Sequence, residues 1–279
     1  MDYTGRTAAV TGAASGIGRA LAVELAGRGA NLSICDVDTA GLQETARMCR
    51  GKGGDVECYE IDVADRPSML RFAEQTIARF GSVHLVANNA GVAVAGAIVD
   101  TPFEDIDWLL GINLMGVVNG TKAFLPHLIA SGDGHLVNIS SVFGLIAPAL
   151  NGVYATSKFA VRGFTEALRQ EMIIAGHPVS VHTVHPGGIR TNIVRHARIL
   201  PTAQTAAGGD PVKDFERIAR TTPERAAARI LAGVDRDKAR ILVGADAYLI
   251  AAVPRLLGGR YVDLFGRVGK RSLNRRLRR

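Results

Sequence analysis

A tyrosine and a lysine stand four residues apart in the stretch NGVYATSKFA, at Tyr154 and Lys158. Residues at this spacing share one face of a helix. An ammonium group favours the ionised form of a neighbouring phenol. The pair could therefore exchange a proton with a substrate near neutral pH, although an isolated phenol has a pKa of about 10. The two residues could equally be simple neighbours on a helix surface, so other motifs must decide.

A glycine-rich turn, VTGAASGIGRA, follows the first predicted strand and opens the first predicted helix. Gly12, Gly16 and Gly18 are spaced so that the backbone can turn tightly and approach a pyrophosphate at the helix N-terminus. Ser15 and Ile17 lie in the same turn and are further candidate contacts. Glycines also serve ordinary tight turns, but the position between a strand and a helix favours a dinucleotide site.

Asp36 ends the second predicted strand, eighteen residues after Gly18. An acidic residue there can accept hydrogen bonds from a ribose 2′-hydroxyl and would repel a 2′-phosphate. The next residue, Val37, carries no charge that could attract such a phosphate. The pattern therefore favours NAD over NADP, although an aspartate at this position could also only cap the following helix.

Short β-branched runs alternate with helical patterns along most of the chain. We predict strands at 7–11, 32–36, 55–61, 83–88, 135–139, 179–184 and 240–243. We predict helices at 17–28, 39–51, 67–80, 104–130, 152–176 and 223–234. Continuously apolar strands between helices indicate a parallel sheet covered on both faces. The expected fold is a Rossmann-type, doubly wound α/β domain of about seven strands that spans residues 1–279.

One segment departs from this alternation. Residues 189–222 are rich in Pro, Gly, Thr and Ala and follow the sixth predicted strand. Long loops inside compact domains are usually functional lids or disordered segments, and the position after a strand end favours a substrate lid. Arginines at 190, 195 and 198 could contact an acidic substrate there or could be solvated.

The composition limits the possible functions. The chain has 279 residues, 47% of them hydrophobic, and a net charge of +7. Residues 267–279 hold seven of the 33 basic residues, and the other 26 balance the 26 acidic ones. Because no basic stripe runs through the fold, we expect no nucleic-acid partner. Three cysteines fit no metal spacing, and no signal peptide or membrane-length apolar run is present, so we expect no metal and a cytoplasmic location.

The basic tail, residues 264–279, follows a stretch at 247–257 with apolar residues at near-helical spacing. An apolar helical surface next to clustered arginines would suit peripheral contact with an anionic membrane. Most basic termini are instead solvated ends, and the sequence leaves both interpretations open.

Seven motifs occur in the order in which the short-chain dehydrogenase/reductase family carries them, and the chain resembles that family from residue 5 to about 190. The motifs are TGAASGIG (11–18), DV (62–63), NNAG (88–91), Asn113, NISS (138–141), YATSK (154–158) and PGGIRT (186–191).

The resemblance implies a catalytic tetrad of Asn113, Ser141, Tyr154 and Lys158. Tyr154 would exchange a proton with the substrate oxygen, which Ser141 would orient. Lys158 would bind the nicotinamide ribose and favour the phenolate. Asn113 would fix a water for proton relay, or would only serve the helix backbone. Ser140 is expected to satisfy the backbone.

The resemblance also implies further cofactor contacts. Asp62 and Val63 would hold the adenine at the end of the third strand. The remaining residues would line the cofactor cleft and contact the nicotinamide; they are Asn89, Ala90, Gly91, Pro186, Gly187, Ile189 and Thr191. Asn88 could be purely structural.

We therefore expect an NAD-dependent oxidoreductase that acts on a secondary alcohol or ketone and assembles as a homodimer or homotetramer. Apolar residues in the lid and near the C-terminus favour an apolar or lipid-like substrate, although they could only pack on the core or on another subunit. The alternative is an NAD-binding regulatory or scaffold protein without turnover. The complete tetrad argues against that alternative.

Overall fold

Runs of β-branched and other apolar residues form a parallel sheet whose central strand is buried along its whole length. The computed structural model describes residues 2–207 and 210–277. The main sheet contains β1 (Thr7–Thr11), β2 (Asn31–Asp36), β3 (Val56–Glu60), β4 (Leu85–Asn88), β6 (Gly134–Ile139), β7 (Val179–Pro186) and β9 (Arg240–Val243). Two short strands, β5 (Val94–Ala95) and β8 (Arg198–Ile199), pair separately.

The order of the seven strands in the main sheet is β3-β2-β1-β4-β6-β7-β9, and every pairing is parallel. The order reverses between β1 and β4. In such sheets the carboxyl ends of the strands at this reversal form a crevice in which ligands bind. The fold class predicted from the sequence is confirmed.

Helices cover both faces of the sheet. They are α1 (Gly16–Gly27), α2 (Thr39–Arg50), α3 (Arg66–Phe80), α4 (Phe103–Leu110), α5 (Gly116–Ala130), α6 (Gly152–Ala175), α7 (Pro201–Ala207), α8 (Pro211–Ile218), α9 (Pro223–Val234), α10 (Ala245–Leu257) and α11 (Arg260–Leu277). One face buries α1, α2 and α9, where Leu21 and Ile230 meet Ile34 of the sheet. The other face buries α3, α5 and α6, where the rings of Phe72 and Phe124 meet edge to face at 5.2 Å.

Local sequence signals place several helix starts. The Asp38 carboxylate accepts a hydrogen bond from Gly41 N at the start of α2 (3.0 Å), and Asp65 accepts one from Ser68 N at the start of α3 (3.1 Å). Such caps satisfy backbone donors that have no partner inside the helix. A left-handed residue, Gly81 with φ 78°, then ends α3.

The helix predicted at 104–130 is interrupted. α4 and α5 are joined by one π-helical turn, Gly111–Met115, which contains Asn113. Such a turn inserts one extra residue into a helix and often occurs at functional sites. Periodicity alone could not show it, because the apolar pattern continues across the turn.

The segment at 189–222 is more ordered than a loop. It contains β8, α7 and α8, and prolines stand at the first positions of both helices, where their missing N–H costs nothing. Asp210 caps α8 by accepting a hydrogen bond from Val212 N (2.9 Å). Similarly, the tail predicted at 264–279 continues α11 as far as residue 277, and residues 278–279 lie outside the described chain.

None of the described helices is long and apolar enough to cross a membrane. Among residues 2–207 and 210–277, no group of three or more His, Cys, Asp or Glu side chains could hold a metal ion.

Candidate active site

Tyr154 and Lys158 lie on the first turns of α6, beside the carboxyl end of β6. The Lys158 side chain is buried, and its Nζ donates a hydrogen bond to Ile139 O (3.1 Å) at the end of that strand. The same Nζ lies 5.6 Å from the centre of the Tyr154 ring. The spacing of four residues therefore does bring phenol and ammonium to one face of the helix, and that face points into the protein.

Two neighbouring serines at the end of β6 have different tasks. Ser141 forms a side-chain hydrogen bond with the Tyr154 phenol, and its Oγ also accepts one from Phe143 N (3.1 Å). Ser140 is buried, and its hydroxyl donates to the backbone oxygen of Lys158 (2.8 Å). Ser141 thus faces the phenol, whereas Ser140 ties the strand to α6 and satisfies the backbone as expected.

Asn113 is fully buried in the π-helical turn. Its Oδ1 accepts a hydrogen bond from Val92 N (2.8 Å), and its Nδ2 donates to Val92 O (2.9 Å) and to Ser157 Oγ (3.2 Å). Gly91 lies close to both side chains: if it carried a Cβ atom, that atom would be 3.2 Å from Asn113 Oδ1 and 3.5 Å from Lys158 Nζ. Asn113 therefore fixes the strand-end segment that runs beside Lys158.

Burial sets the acid–base properties of the pair. It raises the pKa of Tyr154 to about 12, against the lowering effect of the hydrogen bond with Ser141. It lowers the pKa of Lys158 to about 8, because the ammonium is desolvated. The expectation that the nearby ammonium makes the phenol more acidic is not met, since desolvation dominates and the amine is 5.6 Å from the ring centre.

The glycine turn packs against the end of β4. A Cβ on Gly12 would lie 2.6 Å from Ala90 Cα, and one on Gly18 would lie 2.5 Å from Asn89 Nδ2. The Asn89 amide donates to the backbone oxygens of both Thr11 and Gly12 (3.0 Å each). These predicted residues are thus brought together, and glycine is required where the two segments touch.

The N-terminus of α1 suits an anion. In the described chain the Ser15 side chain does not cap this helix, and its first turn contains no acidic residue. Ser15, Gly16 and Ile17 are partly exposed, so their backbone N–H groups can be reached from outside. A pyrophosphate-containing cofactor fits this position, because the N–H groups and the helix dipole both favour negative charge.

Asp36 already makes two local hydrogen bonds. Its Oδ2 accepts from Ala14 N (2.9 Å) and its Oδ1 accepts from Asp38 N (3.0 Å). Each carboxylate oxygen has a second lone pair, so ribose hydroxyls can still be accepted. The carboxylate therefore serves the backbone and also fits the ribose of a dinucleotide.

A basic side chain that the sequence pattern did not indicate lies at the same turn. The Arg19 guanidinium donates to Ala14 O, to Gly41 O (3.1 Å) and to Thr45 Oγ1 (3.0 Å). In the sequence, only the position of Arg19 within the stretch GIGRA indicates this role, because its partners Gly41 and Thr45 belong to α2. This arginine clamps the glycine turn to α2.

Asp62 and Val63 follow β3 at the same edge of the sheet. Asp62 Oδ1 accepts from Ala64 N (2.9 Å), and Val63 O accepts from the buried amide of Asn119 (3.0 Å).

Asn88, at the end of β4, makes a structural contact, since its amide donates a hydrogen bond to Asn138 Oδ1 (2.8 Å) inside the protein.

The segment from Pro186 to Thr191 leaves the end of β7 and faces the glycine turn. Ile189 is buried, and a Cβ on Gly16 would lie 3.0 Å from the Thr191 side chain. Gly187 N donates to Val243 O (2.9 Å), which ties the segment to the end of β9. The predicted residues of this segment therefore do lie opposite α1.

Asp246, at the start of α10, was not predicted from the sequence. Its Oδ2 accepts a hydrogen bond from Gly188 N (2.6 Å), and a Cβ on Gly187 or Gly244 would lie 2.2 Å or 2.4 Å from its carboxylate oxygens. The other end of the segment pairs with Thr221, whose O accepts from Arg190 N (2.9 Å). In the sequence, the one signal that could have indicated Asp246 is its position just after the end of a strand.

The first half of the segment at 189–222 is attached to the rest of the protein. β8 pairs with β5, and a Cβ on Gly96 would lie 2.4 Å from the Leu200 side chain. The Arg198 guanidinium lies over the Trp108 ring, 3.8 Å from its centre, and donates to Asp105 (2.6 Å). Arg198 is therefore engaged by α4, while its side chain remains 45% exposed.

Comparison with known proteins agrees with this geometry. A model of the short chain dehydrogenase family matches residues 6–199. The Mycobacterium tuberculosis protein SadH, whose name assigns it to the oxidoreductases, is 48% identical over 268 residues, which cover 94% of this chain and 95% of that protein. A C alpha-dehydrogenase of Sphingobium is 34% identical over 244 residues, covering 84% of this chain and 79% of the relative.

A similar solved structure is that of a short chain dehydrogenase/reductase from Burkholderia phymatum in complex with NAD. It superimposes with a TM-score of 0.86 at 28% identity and covers 95% of this chain and 96% of its own. The present chain belongs to the short-chain dehydrogenase/reductase family. It is an oxidoreductase of the kind that acts on CH–OH or keto groups with a nicotinamide cofactor.

Proposed function

We propose that this enzyme interconverts a secondary alcohol and a ketone with NAD, and that Tyr154 is the proton carrier. The observation that supports this most directly is the convergence of three side chains at the carboxyl end of β6. The Tyr154 phenol is hydrogen-bonded by Ser141, and the buried Lys158 ammonium lies one helical turn away. NAD, when bound, accepts or supplies the hydride.

The tetrad residues take distinct roles in this proposal. Ser141 orients the substrate oxygen toward the phenol, since its hydroxyl already meets that group. Lys158 presents a compact positive charge to the cofactor ribose and to the phenolate. Asn113 is a positioning residue, because its three hydrogen bonds hold Val92 and Ser157 rather than a reacting atom.

NAD is the proposed cofactor in preference to NADP. Gly12, Gly16 and Gly18 allow the pyrophosphate to approach, and Asp36 accepts the ribose hydroxyls and repels a 2′-phosphate. The remaining proposed contacts are Ser15, Ile17, Asp62, Val63, Asn89, Ala90, Gly91, Pro186, Gly187, Ile189 and Thr191.

The proposed substrate is apolar or lipid-like and enters beneath the lid at 189–222. The Phe143 ring meets the Tyr154 ring edge to face at 6.1 Å, so an apolar surface stands beside the phenol. Ile199 and Leu200 on the proposed lid are also apolar and partly exposed.

A panel of secondary alcohols of increasing chain length, assayed with NAD through the absorbance of NADH, tests the proposal. Tyr154→Phe should bind NAD normally but lose turnover by about two to four orders of magnitude, since only the proton carrier is removed. Tyr248→Phe, at an exposed tyrosine of α10, is the matched control and should keep full activity. NAD binding with no turnover of any alcohol or ketone would favour a regulatory or scaffold role instead.

The proposed assembly is a homodimer or homotetramer formed through α4, α5 and α6. Large apolar side chains stand out from two of these helices in the single chain, with Phe103 81%, Ile173 68% and Ile174 85% exposed. An interface between copies would bury them. Light scattering at micromolar concentration should give a multiple of the chain mass, and a monomer would contradict the proposal.

The proposed location is the cytoplasm, with peripheral contact of the C-terminal helices with an anionic membrane. Leu249 and Leu256 on α10 and Val262 on α11 are 74%, 81% and 57% exposed and lie near basic residues. Full-length protein should sediment with anionic liposomes at low salt, and a chain ending at Gly266 should not. If both remain in the supernatant, the tail does not bind membranes.

A further inference from the structure

A cavity of about 400 Å³ lies between α6, α10 and the start of α11. Its walls carry three arginine side chains, Arg162, Arg240 and Arg255. Apolar groups, among them the Phe159 ring and Pro254, form much of the remaining wall. No member of the tetrad lines this cavity, although Phe159 and Arg162 follow Lys158 on α6.

Positive charge exceeds negative charge around the cavity. Glu166 is the carboxylate that pairs with its arginines: Oε1 accepts from Arg162 Nε (3.0 Å) and also from Arg240. Arg255 forms no ion pair with any of the described residues. Three guanidinium groups therefore share one carboxylate, which leaves room for a further anion.

One hydrogen-bonding group of a lining residue is also left over. The buried Nε of Arg240 has no hydrogen-bond partner in the described part of the chain. A buried N–H without an acceptor costs free energy, so this wall is suited to an acceptor group that enters the cavity.

We propose that this cavity is a binding site for an oxyanion, a carboxylate or a phosphate, carried on an apolar group. The planar guanidinium groups of Arg240 and Arg255 match the paired oxygens of such an anion, and Arg162 adds charge beside them. The apolar walls receive the group that carries the anion. The site is independent of the oxidoreductase activity proposed above.

Calorimetric titration of the full-length protein without cofactor, in low-chloride buffer, tests the site with two probes. Inorganic phosphate tests the anion alone, and octanoate tests an anion joined to an apolar chain. We expect saturable binding of octanoate, with phosphate weaker. Saturable binding of phosphate with no preference for octanoate would restrict the site to free anions and contradict the apolar part of the proposal.

Arginine variants assign the binding to this cavity. Arg240→Gln and Arg255→Gln should each raise the dissociation constant of octanoate about tenfold, since each removes a charge-assisted contact. Arg236→Gln, at an exposed arginine between α9 and β9 that does not line the cavity, is the matched control and should change it less than twofold. If Arg240→Gln does not fold because its bond with Glu166 is lost, the exposed Arg255 still gives the answer.

Two results would overturn the proposal. One is the absence of saturable binding of either probe, which would leave water as the occupant. The other is binding that stays equally tight in both cavity variants, which would assign the anion to another part of the protein.

Discussion

At the scale of single residues, the sequence predicted that Tyr154 and Lys158 share one face of a helix, but it did not predict their protonation. Spacing alone places Tyr154 and Lys158 on one face of α6. It does not show that both side chains are removed from water. Burial raises the pKa of the phenol to about 12 and lowers that of the amine to about 8. Burial comes from distant segments that pack around the helix, and a local motif carries no information about it.

The raised pKa of Tyr154 predicts different pH profiles for the two directions of the reaction. Ketone reduction needs the protonated phenol, which is present throughout the neutral range. Alcohol oxidation needs the ionised phenol, whose fraction grows about tenfold for each pH unit below the pKa. Oxidation should therefore accelerate from about pH 7 to about pH 9, whereas reduction should not.

Initial rates in both directions measure this difference. Loss of charge on Lys158, whose pKa is about 8, should flatten the rise of the oxidation rate above that pH. An oxidation rate that is independent of pH over the range would contradict the assignment of Tyr154.

The proposed preference for NAD over NADP rests on Asp36. The wild type should bind NAD far more tightly than NADP, because a carboxylate that faces a phosphate is repulsive. Asp36→Ala combined with Val37→Arg should narrow the ratio of the two dissociation constants by about a hundredfold, equivalent to roughly 3 kcal/mol. Fluorescence titration measures both constants, and Asp38→Ala, at the α2 cap, controls for loss of local structure. Equal affinities in the wild type would refute the role of Asp36.

Residues such as Arg19 and Asp246 show where prediction from sequence ends. Arg19 lies inside the glycine motif, but its partners Gly41 and Thr45 belong to the next helix. Asp246 meets Gly188 across 58 positions of the chain. No local pattern contains such pairs, whereas the glycine turn and the tetrad are marked by residue type and spacing within short stretches.

At the scale of elements, strand and helix types were predicted well in the first two thirds of the chain. The lid was predicted poorly because its prolines and small residues are typical of loops. Here Pro201 and Pro211 instead begin helices. The π-helical turn at Gly111–Met115 was invisible for the opposite reason, since its residues continue a helical pattern.

The lid should loosen when Arg198 is replaced. Arg198→Leu removes the contact with the Trp108 ring and the bond to Asp105, which together are worth about 1–2 kcal/mol. We expect KM for the substrate to rise about tenfold with little change in kcat, and limited proteolysis within 189–222 to accelerate.

A matched control exists within the same segment. Arg195 pairs with Glu216 of α8, so both partners belong to the lid and do not attach it to α4. Arg195→Leu should leave KM within about twofold of the wild type. Equal effects of the two substitutions would mean that Arg198 does not hold the lid.

At the scale of the whole molecule, the two apolar cores on either side of the sheet follow from continuously apolar strands and amphipathic helices. Buried histidines are among the exceptions to this apolar character. His182 and His185 are fully buried on β7, and burial lowers the pKa of each to about 4. His182 Nδ1 donates to Lys238 O (2.8 Å) and His185 Nδ1 to Ser141 O (2.8 Å). These bonds raise the pKa of each ring, but burial outweighs them and keeps both rings neutral.

These histidines should make the protein sensitive to acid. Their folded-state pKa lies below the value of about 6.5 in the unfolded chain, so the unfolded state binds more protons as the pH falls. The stability they contribute is complete above about pH 6.5 and is lost toward pH 4, with a loss of about 2 kcal/mol for each at pH 5.

Thermal unfolding at about pH 7 and at about pH 5 measures this loss. His182→Asn should lower stability at neutral pH but reduce its dependence on pH. An unchanged Tm between the two conditions in the wild type would contradict the prediction.

The attachment of the Pro186–Thr191 segment at both ends has a consequence for hydrogen exchange. Gly188 is held by Asp246 of α10, and Arg190 is held by Thr221 at the end of the lid. For these hydrogen bonds to break, the three pieces of chain must separate together. A cofactor that binds the segment should therefore slow amide exchange in residues 219–222 and 244–247, which it does not need to touch. Asp246→Asn should weaken that remote protection more at 244–247 than at 219–222, so the C-terminal third of the chain would report on events at a cofactor site built almost entirely from the first two thirds.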